Sequence, residues 1–275
     1  MHKTREAVAG TGLLVAAIRA RESRRDDRLF DDPFAEKLAG AAGARDLDAA
    51  IAASGERSTV QIVVRTRFWD EALLRVTERP AVRQVVLVAA GMDARAYRLD
   101  WPAGVTVYEL DQPAVMEAKD RLLAGDTPRA RRVPVGVDLT EDWPSALTAS
   151  GFDATVASVW LMEGLLQYLD EAEVRALFAR VDELSAPGSV LLYDVVGRTL
   201  LQSQAMAGLV KSMATQGAPW LFGSDNPGEL AERHGWRAAV TDIAVPGNEW
   251  KRWFAPAVPM DVPDVPRGYF VEALK

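Results

Sequence analysis

Five acidic side chains in this chain stand where an apolar run stops, and their spacing points to a bound nucleoside. The run QVVLVAA at residues 84–90 ends at Gly91, with Asp93 two residues on. A short run of β-branched and small residues, stopped by a glycine and an acid, reads as a buried parallel strand opening into a ligand-binding turn. The next run, VTVYEL, carries Glu109 and leads into Asp111, twenty residues after Gly91. In a doubly wound α/β sheet that interval puts an acid at the tip of the neighbouring strand, within reach of ribose hydroxyls. Glu109 and Asp111 alternate onto one face of their strand, so one is expected at the ribose and the other on a backbone or arginine partner.

The turn narrows the ligand. A diphosphate-binding Rossmann turn carries three glycines, G-x-G-x-x-G, so that the backbone can close on the phosphates. AAGMDARAY has only Gly91, which weighs against NAD or FAD. S-adenosylmethionine has no phosphate and tolerates the looser turn, with Asp93 capping the helix that follows. A third strand ends in Asp138-Leu139, a pair able to bond an adenine amino group and pack on its ring; Asp138 could equally cap the helix of TEDW. Glu163 is a lone charge after mostly apolar residues, followed by Gly164. An acid so placed is either buried and paired or lines a pocket floor, and the pocket is favoured. Arg65 and Arg67, in VVRTRFWDEAL, read either as a solvated basic face or as the source of a guanidinium that clamps a carboxylate, such as the amino-acid end of the cofactor.

These residues need a sheet to hold them. Strands are expected at 84–90, 105–110, 132–137, 154–161 and 189–196, with helices near 93–98, 112–124, 141–149 and 170–184 between them. Such alternation argues for a parallel sheet covered by helices on both faces. The first eighty residues read as helical: 4–26 with Val8, Leu13, Leu14, Ala17 and Ile18 at helical spacing, a helix beyond Asp32-Pro33, and 58–77. Residues 198–227 break the alternation with a helical stretch and a Gly/Pro-rich loop, an insertion placed to face substrate. PGELAERHGW reads as a helix closed at Gly235. WRAAVTDIAV and RGYFVEALK then close the fold as an antiparallel hairpin with a long connection. The expected division is a helical N-terminal cap over 1–80 and a cofactor-binding α/β domain over 81–275.

Composition limits the alternatives. The 275 residues carry a net charge of −7, which argues against nucleic acid as the main partner. Without cysteine there is no disulfide, thiolate nucleophile or Cys-ligated zinc, and two histidines, His2 and His234, make no metal site. No segment has the length of apolar sequence that crosses a membrane, and MHKTREAVAG has no signal-peptide pattern, so no membrane partner and a cytoplasmic location are expected.

The ordered set RARESRRDDRLFDDPFAEKLAG, RTRFWD, VVLVAAGMDARAYRL, VYELDQPAVMEAK, VPVGVDLTEDW and WLMEGLLQYLDEAEV resembles the leucine carboxyl methyltransferase family, most closely its bacterial S-adenosylmethionine-dependent O-methyltransferases. The resemblance runs from about residue 15 to residue 197. It implies a class I methyltransferase sheet, Rossmann-like, with a helical N-terminal cap. It further implies that Arg65, ahead of Arg67, meets the methionine carboxylate, and that Asp111 takes the ribose. Asp138 and Leu139 would flank adenine, and Glu163 would lie near the methionine amino group. One departure is Ala94, where the commonest form of the turn has threonine.

The expected activity is methyl transfer from S-adenosylmethionine to an oxygen of a small-molecule acceptor, favouring a carboxylate or acidic phenol, because a carboxylate needs no base. His234, Tyr168 and Tyr193 are the candidate bases, each more often structural. Trp220, Phe222, Met206 and Met213 are candidates for the acceptor wall. The competing readings are a cofactor-binding protein without turnover and an NAD-dependent oxidoreductase. No G-x-S-x-G occurs, so a serine hydrolase is disfavoured.

Overall fold

A computed structural model describes residues 2–275, and the side chains of 10–53, 55–57 and 59–275. The side chains of His2 and Val8 lie outside that range. Three long helices come first: α1 (His2–Ser23), α2 (Ala35–Ser54, kinked at Gly40) and α3 (Arg57–Thr77). The sheet strands and their helices follow as β1 (Gln84–Val88), α4 (Arg95–Arg98), β2 (Thr106–Asp111), α5 (Pro113–Leu122), β3 (Arg131–Gly136), α6 (Trp143–Ala149), β4 (Ser158–Met162), α7 (Glu171–Glu183) and β5 (Val190–Val196). A 3-10 turn, Leu166–Tyr168, follows β4. The chain ends with α8 (Arg198–Leu201), α9 (Ala207–Thr215), α10 (Glu229–Glu232), β6 (Arg237–Asp242), α11 (Ala244–Glu249) and β7 (Gly268–Leu274).

The seven strands lie in the order β3-β2-β1-β4-β5-β7-β6. The first five are parallel; β7 runs antiparallel to both β5 and β6. The expected closing hairpin is therefore an antiparallel pair whose second strand slots between β5 and the first. β1, β4 and β5 are buried along their whole length, as central parallel strands covered on both faces must be. The edge strand β3 is mostly exposed.

Alternation along each strand divides the core in two. Val85, Leu87, Val107, Leu161 and Leu192 pack with Ala17 and Ile18 of α1, Leu38 of α2 and Trp69 and Leu73 of α3. Val86, Leu110, Trp160, Leu191 and Tyr193 pack with Trp143 of α6 and with Val174 and Phe178 of α7. The N-terminal helices thus supply one face of the sheet's own core.

Two local expectations are refined. Asp32 accepts from the Phe34 amide, but the helix itself begins at Ala35, beyond Pro33. The run WRAAVTDIAV stops being a strand at Asp242, whose carboxylate accepts from the Ala244 amide and turns the chain into α11. No helix is long and apolar enough to cross a membrane among the described residues.

Candidate functional site

The strand order reverses between β1 and β4, and such a switch point opens a crevice at the carboxyl ends of the strands. Register decides which residues reach it. Val88 pairs with Leu110 on one side and Met162 on the other, and Met162 pairs with Tyr193. One residue beyond these, Asp111, Ala89 and Glu163 stand at three adjacent strand tips, level with Asp194, two residues before the end of β5.

The turn after β1 is held open by strain and by hydrogen bonds. Ala89 has φ +56° and Gly91 φ +47°, both left-handed. That conformation costs an alanine of order 1 kcal/mol, which the surrounding contacts must offset. The Gly91 amide donates to Asp111 Oδ2 at 2.7 Å, and the Gln112 amide donates to Oδ1 at 2.7 Å. Burial pushes the Asp111 carboxyl above its ordinary range, against these two donors. Asp93 accepts from the Arg95 amide at 2.6 Å and pairs with the Arg95 guanidinium. Burial opposes its charge, yet Arg95, Lys119 and Arg19 bring its carboxyl down to about 2.

Glu163 lies between two arginines, accepting from Arg65 Nε at 2.9 Å and from Arg95 Nη1 at 2.6 Å. Burial opposes its charge and the arginines prevail, holding it below the usual carboxylate range. Arg65 also reaches Asp194 Oδ2 at 3.3 Å, and the Gly164 amide donates to Asp194 Oδ1 at 2.7 Å. Gly164 has φ +62°, and a side-chain carbon there would stand 2.8 Å from Arg65 Nη1. Glycine is required at 164 because the guanidinium lies against it.

Other expected residues fall elsewhere. Arg67 points away from this cluster, pairing with Glu71 at 2.8 Å and lying over the Trp250 ring at 4.7 Å. That corrects its place among cofactor ligands: two residues along a helix is a rotation of roughly 200°. Glu109 is likewise corrected. It is fully buried and ion-paired to Lys119 at 2.9 Å and Arg132 at 2.7 Å, one strand turn behind the tip, so it is the partnered member of the Glu109/Asp111 pair. Asp138 accepts from the Thr140 amide and hydroxyl beyond β3, while the cap of α6 is Asp142. Leu139 is half-buried against the second core face.

Several members of the site escaped the sequence reading. Asp194 is a lone acid in an apolar strand, the same signal that singled out Glu163. Arg95 follows Asp93 by two residues, and Asp70 of α3 bonds it at 2.7 Å. Asp70 further holds Arg98 through two 2.7 Å bonds.

Among the residues expected at the acceptor wall, Trp220 is half-buried and edge-on to Tyr168, with ring centroids 6.4 Å apart. Met206 and Met213 are half-buried, whereas Phe222 is a core residue. The Tyr193 hydroxyl donates to Pro227 O at 2.7 Å, and burial pushes its pKa far up. His234 precedes β6, whose first residue Arg237 is level with Leu274 and so with Val190 at the foot of β5, the end of the sheet away from the crevice.

Residues 12–182 match the family model described as leucine carboxyl methyltransferase. The chain belongs to that family. Among its relatives, a Mycobacterium avium protein is 37% identical over 98% of this chain and 95% of its own length. A Mycobacteroides abscessus protein is 38% identical over 86% of each chain. Both carry the provisional name S-adenosyl-L-methionine-dependent methyltransferase. The fold is shared with two crystal structures. One is a DUF574-family protein of Streptomyces avermitilis, at TM-score 0.64 and 14% identity over 94% of this chain and 96% of that one. The other, named as a methyltransferase of Thermobifida fusca, gives TM-score 0.62 and 16% identity over 91% and 94% of the two chains.

As a member of the leucine carboxyl methyltransferase family, the protein is an S-adenosylmethionine-dependent methyltransferase acting on a methyl acceptor. The crevice suits that cofactor. A side-chain carbon on Gly91 would meet nothing within 4 Å, so there is open space above the turn. Arg19, Arg65, Arg95 and Arg98 face Asp32, Asp70, Asp93, Glu163 and Asp194, and Asp111 adds a sixth carboxylate at the turn, so carboxylates outnumber guanidiniums around the crevice. Sulfonium, ammonium and carboxylate together give the cofactor one positive charge.

Proposed function

We propose that the enzyme methylates an oxygen of a small molecule, a carboxylate or an acidic hydroxyl, with the cofactor lying across the tips of β3, β2, β1 and β4. When bound, the cofactor supplies a sulfonium-linked methyl group open to in-line displacement. Asp111 accepts the ribose hydroxyls with lone pairs left beside Gly91 and Gln112, and Gly91 leaves room for close approach. Asp93 braces the turn through Arg95. Asp138 and Leu139 flank adenine, Leu139 by packing. Glu163 faces the methionine ammonium and Arg65 its carboxylate.

The observation that carries the oxygen-acceptor reading is the state of the acids at the crevice. Glu163 and Asp93 are ionised and pinned by arginines, and a carboxyl brought down to about 2 is a poor proton acceptor at neutral pH. Asp111 and Asp194, raised by burial, are taken up by the Gly91, Gln112 and Gly164 amides and by Arg65. The Tyr193 hydroxyl donates to Pro227 O, and His234 precedes β6 at the opposite end of the sheet. An acceptor that is already anionic needs no base and reacts once aligned and desolvated. Incubation with S-adenosylmethionine and a panel of carboxylates, phenols, alcohols and amines, read by mass of the product, tests this. Methyl esters or aryl ethers support it; transfer to amines or unactivated alcohols overturns it. Cofactor binding with no product from any class would favour the binding protein without turnover.

A further inference from the structure

The polar contacts around the cofactor turn close into a ring. Asp70 Oδ1 accepts from Arg95 Nε and from Arg98 Nη2, and Oδ2 accepts from Arg98 Nη1, all at 2.7 Å. Arg98 Nε lies 3.7 Å from Asp32, which accepts from Arg19 Nε at 2.8 Å. Arg19 then donates to the carbonyl of Met92, inside the turn itself. From the turn, Asp93 returns to Arg95 and so to Asp70. Every member is nearly out of solvent: the side chains of Arg19, Asp32, Asp70, Arg95 and Arg98 are 8%, 0%, 9%, 3% and 4% exposed.

We infer that Asp70 is a positioning residue for the cofactor site, through which α1 and α3 set the geometry of the Gly91–Asp93 turn and of Glu163. A guanidinium is planar, so fixing two of its nitrogens fixes the aim of the third. Arg95 is gripped at Nε by Asp70 and at Nη2 by the Thr66 carbonyl of α3 at 3.4 Å. Its Nη1 is thereby aimed between Asp93 and Glu163. Asp70 touches neither crevice nor cofactor; its effect arrives through Arg95. Because coupling is reciprocal, cofactor binding must in turn tighten α1 and α3 on the sheet.

This inference rests on Asp93 and Glu163 serving the cofactor, so the experiment separates the two. Calorimetric titration of S-adenosylmethionine into D70N is expected to show affinity lower by roughly ten- to a hundredfold, the scale of a lost charge-assisted bond. D70E keeps the charge and should recover most of it. L38A, which removes core packing of α2 away from the ring, lowers stability and should leave affinity near wild type. Hydrogen exchange should show cofactor-induced protection of α3 in wild type and D70E but not in D70N. Wild-type affinity in D70N, or an equal loss in L38A at matched stability, overturns the inference. E163Q binding as wild type would instead overturn the reading of the site; weakened E163Q beside wild-type D70N would remove the relay and leave the site standing.

Discussion

Two regions of this enzyme are built on opposite terms. Where α1, α3 and α4 meet the tips of β1, β4 and β5, the described charged groups are buried and paired, and each carboxylate has a named arginine or amide. The second region, residues 198–221 and 254–262, looks different. No residue of α9 is buried, and Leu209, Leu221, Phe254 and Met260 are 43%, 56%, 54% and 51% exposed. The family match stops at residue 182, before this second region begins. A shared cofactor demands one fixed geometry, which a closed set of short-range ion pairs can hold. A segment that faced the acceptor would be under no such demand, and single exposed apolar residues contribute little to stability.

The contrast can be broken by substitution, and the largest effect is expected in the paired region. Arg65→Ala leaves Asp194 buried without its cation and Glu163 with Arg95 alone, and about 3–5 kcal/mol of stability should be lost in urea unfolding, with cofactor affinity falling as well. A change under 1 kcal/mol would mean that the seam is not stabilised as its geometry implies. Asp111→Ala should cost cofactor affinity roughly a hundredfold by calorimetry while unfolding changes far less. Unchanged affinity in both variants would sink the placement of the cofactor.

A smaller effect is expected at Gly164. Alanine there must adopt φ +62° and displace the Arg65 guanidinium, costing about 1–3 kcal/mol. Met213→Ala in α9, by contrast, should stay within about 0.5 kcal/mol of wild type and leave cofactor affinity unchanged. Its effect should appear in the KM for the acceptor once one is found. A large stability loss there would erase the distinction between the regions.

Acid titration sharpens the same comparison. Asp93 is depressed to about 2, so the stability it contributes is complete above the unfolded carboxylate value of about 4 and disappears as pH falls towards 2. Asp111 and Asp194 are raised by burial and have the opposite sign: their ionised forms cost stability, and protonation relieves it as pH falls through their raised values. Cofactor affinity should therefore begin to fall at a pH above the ordinary carboxylate range, as Asp111 protonates and stops accepting from ribose, while the fold persists. Asp111→Asn should abolish that early step. Coincident loss of binding and folding would contradict the assignment.

The sequence by itself determined the sheet and much of its crevice. Short, nearly continuous apolar runs, stopped by glycine or acid, set the five parallel strands and brought Gly91, Asp111 and Glu163 to their tips. These signals are local, so they survive without knowledge of the fold. What the tertiary structure alone decided was pairing. Arg65 and Arg67 are alike in sequence, and only the docking of α3 turns one towards Glu163 and the other towards Trp250. Glu109 and Asp111 share a strand face, and only Lys119 and Arg132 make the first a buried ion pair. Asp70, Arg98 and Asp194 gave no sign of belonging together, because a salt bridge between residues far apart in the chain has no periodicity. Charge pairing inside a protein is a property of three-dimensional proximity and low dielectric, and neither exists until the helices have closed on the sheet.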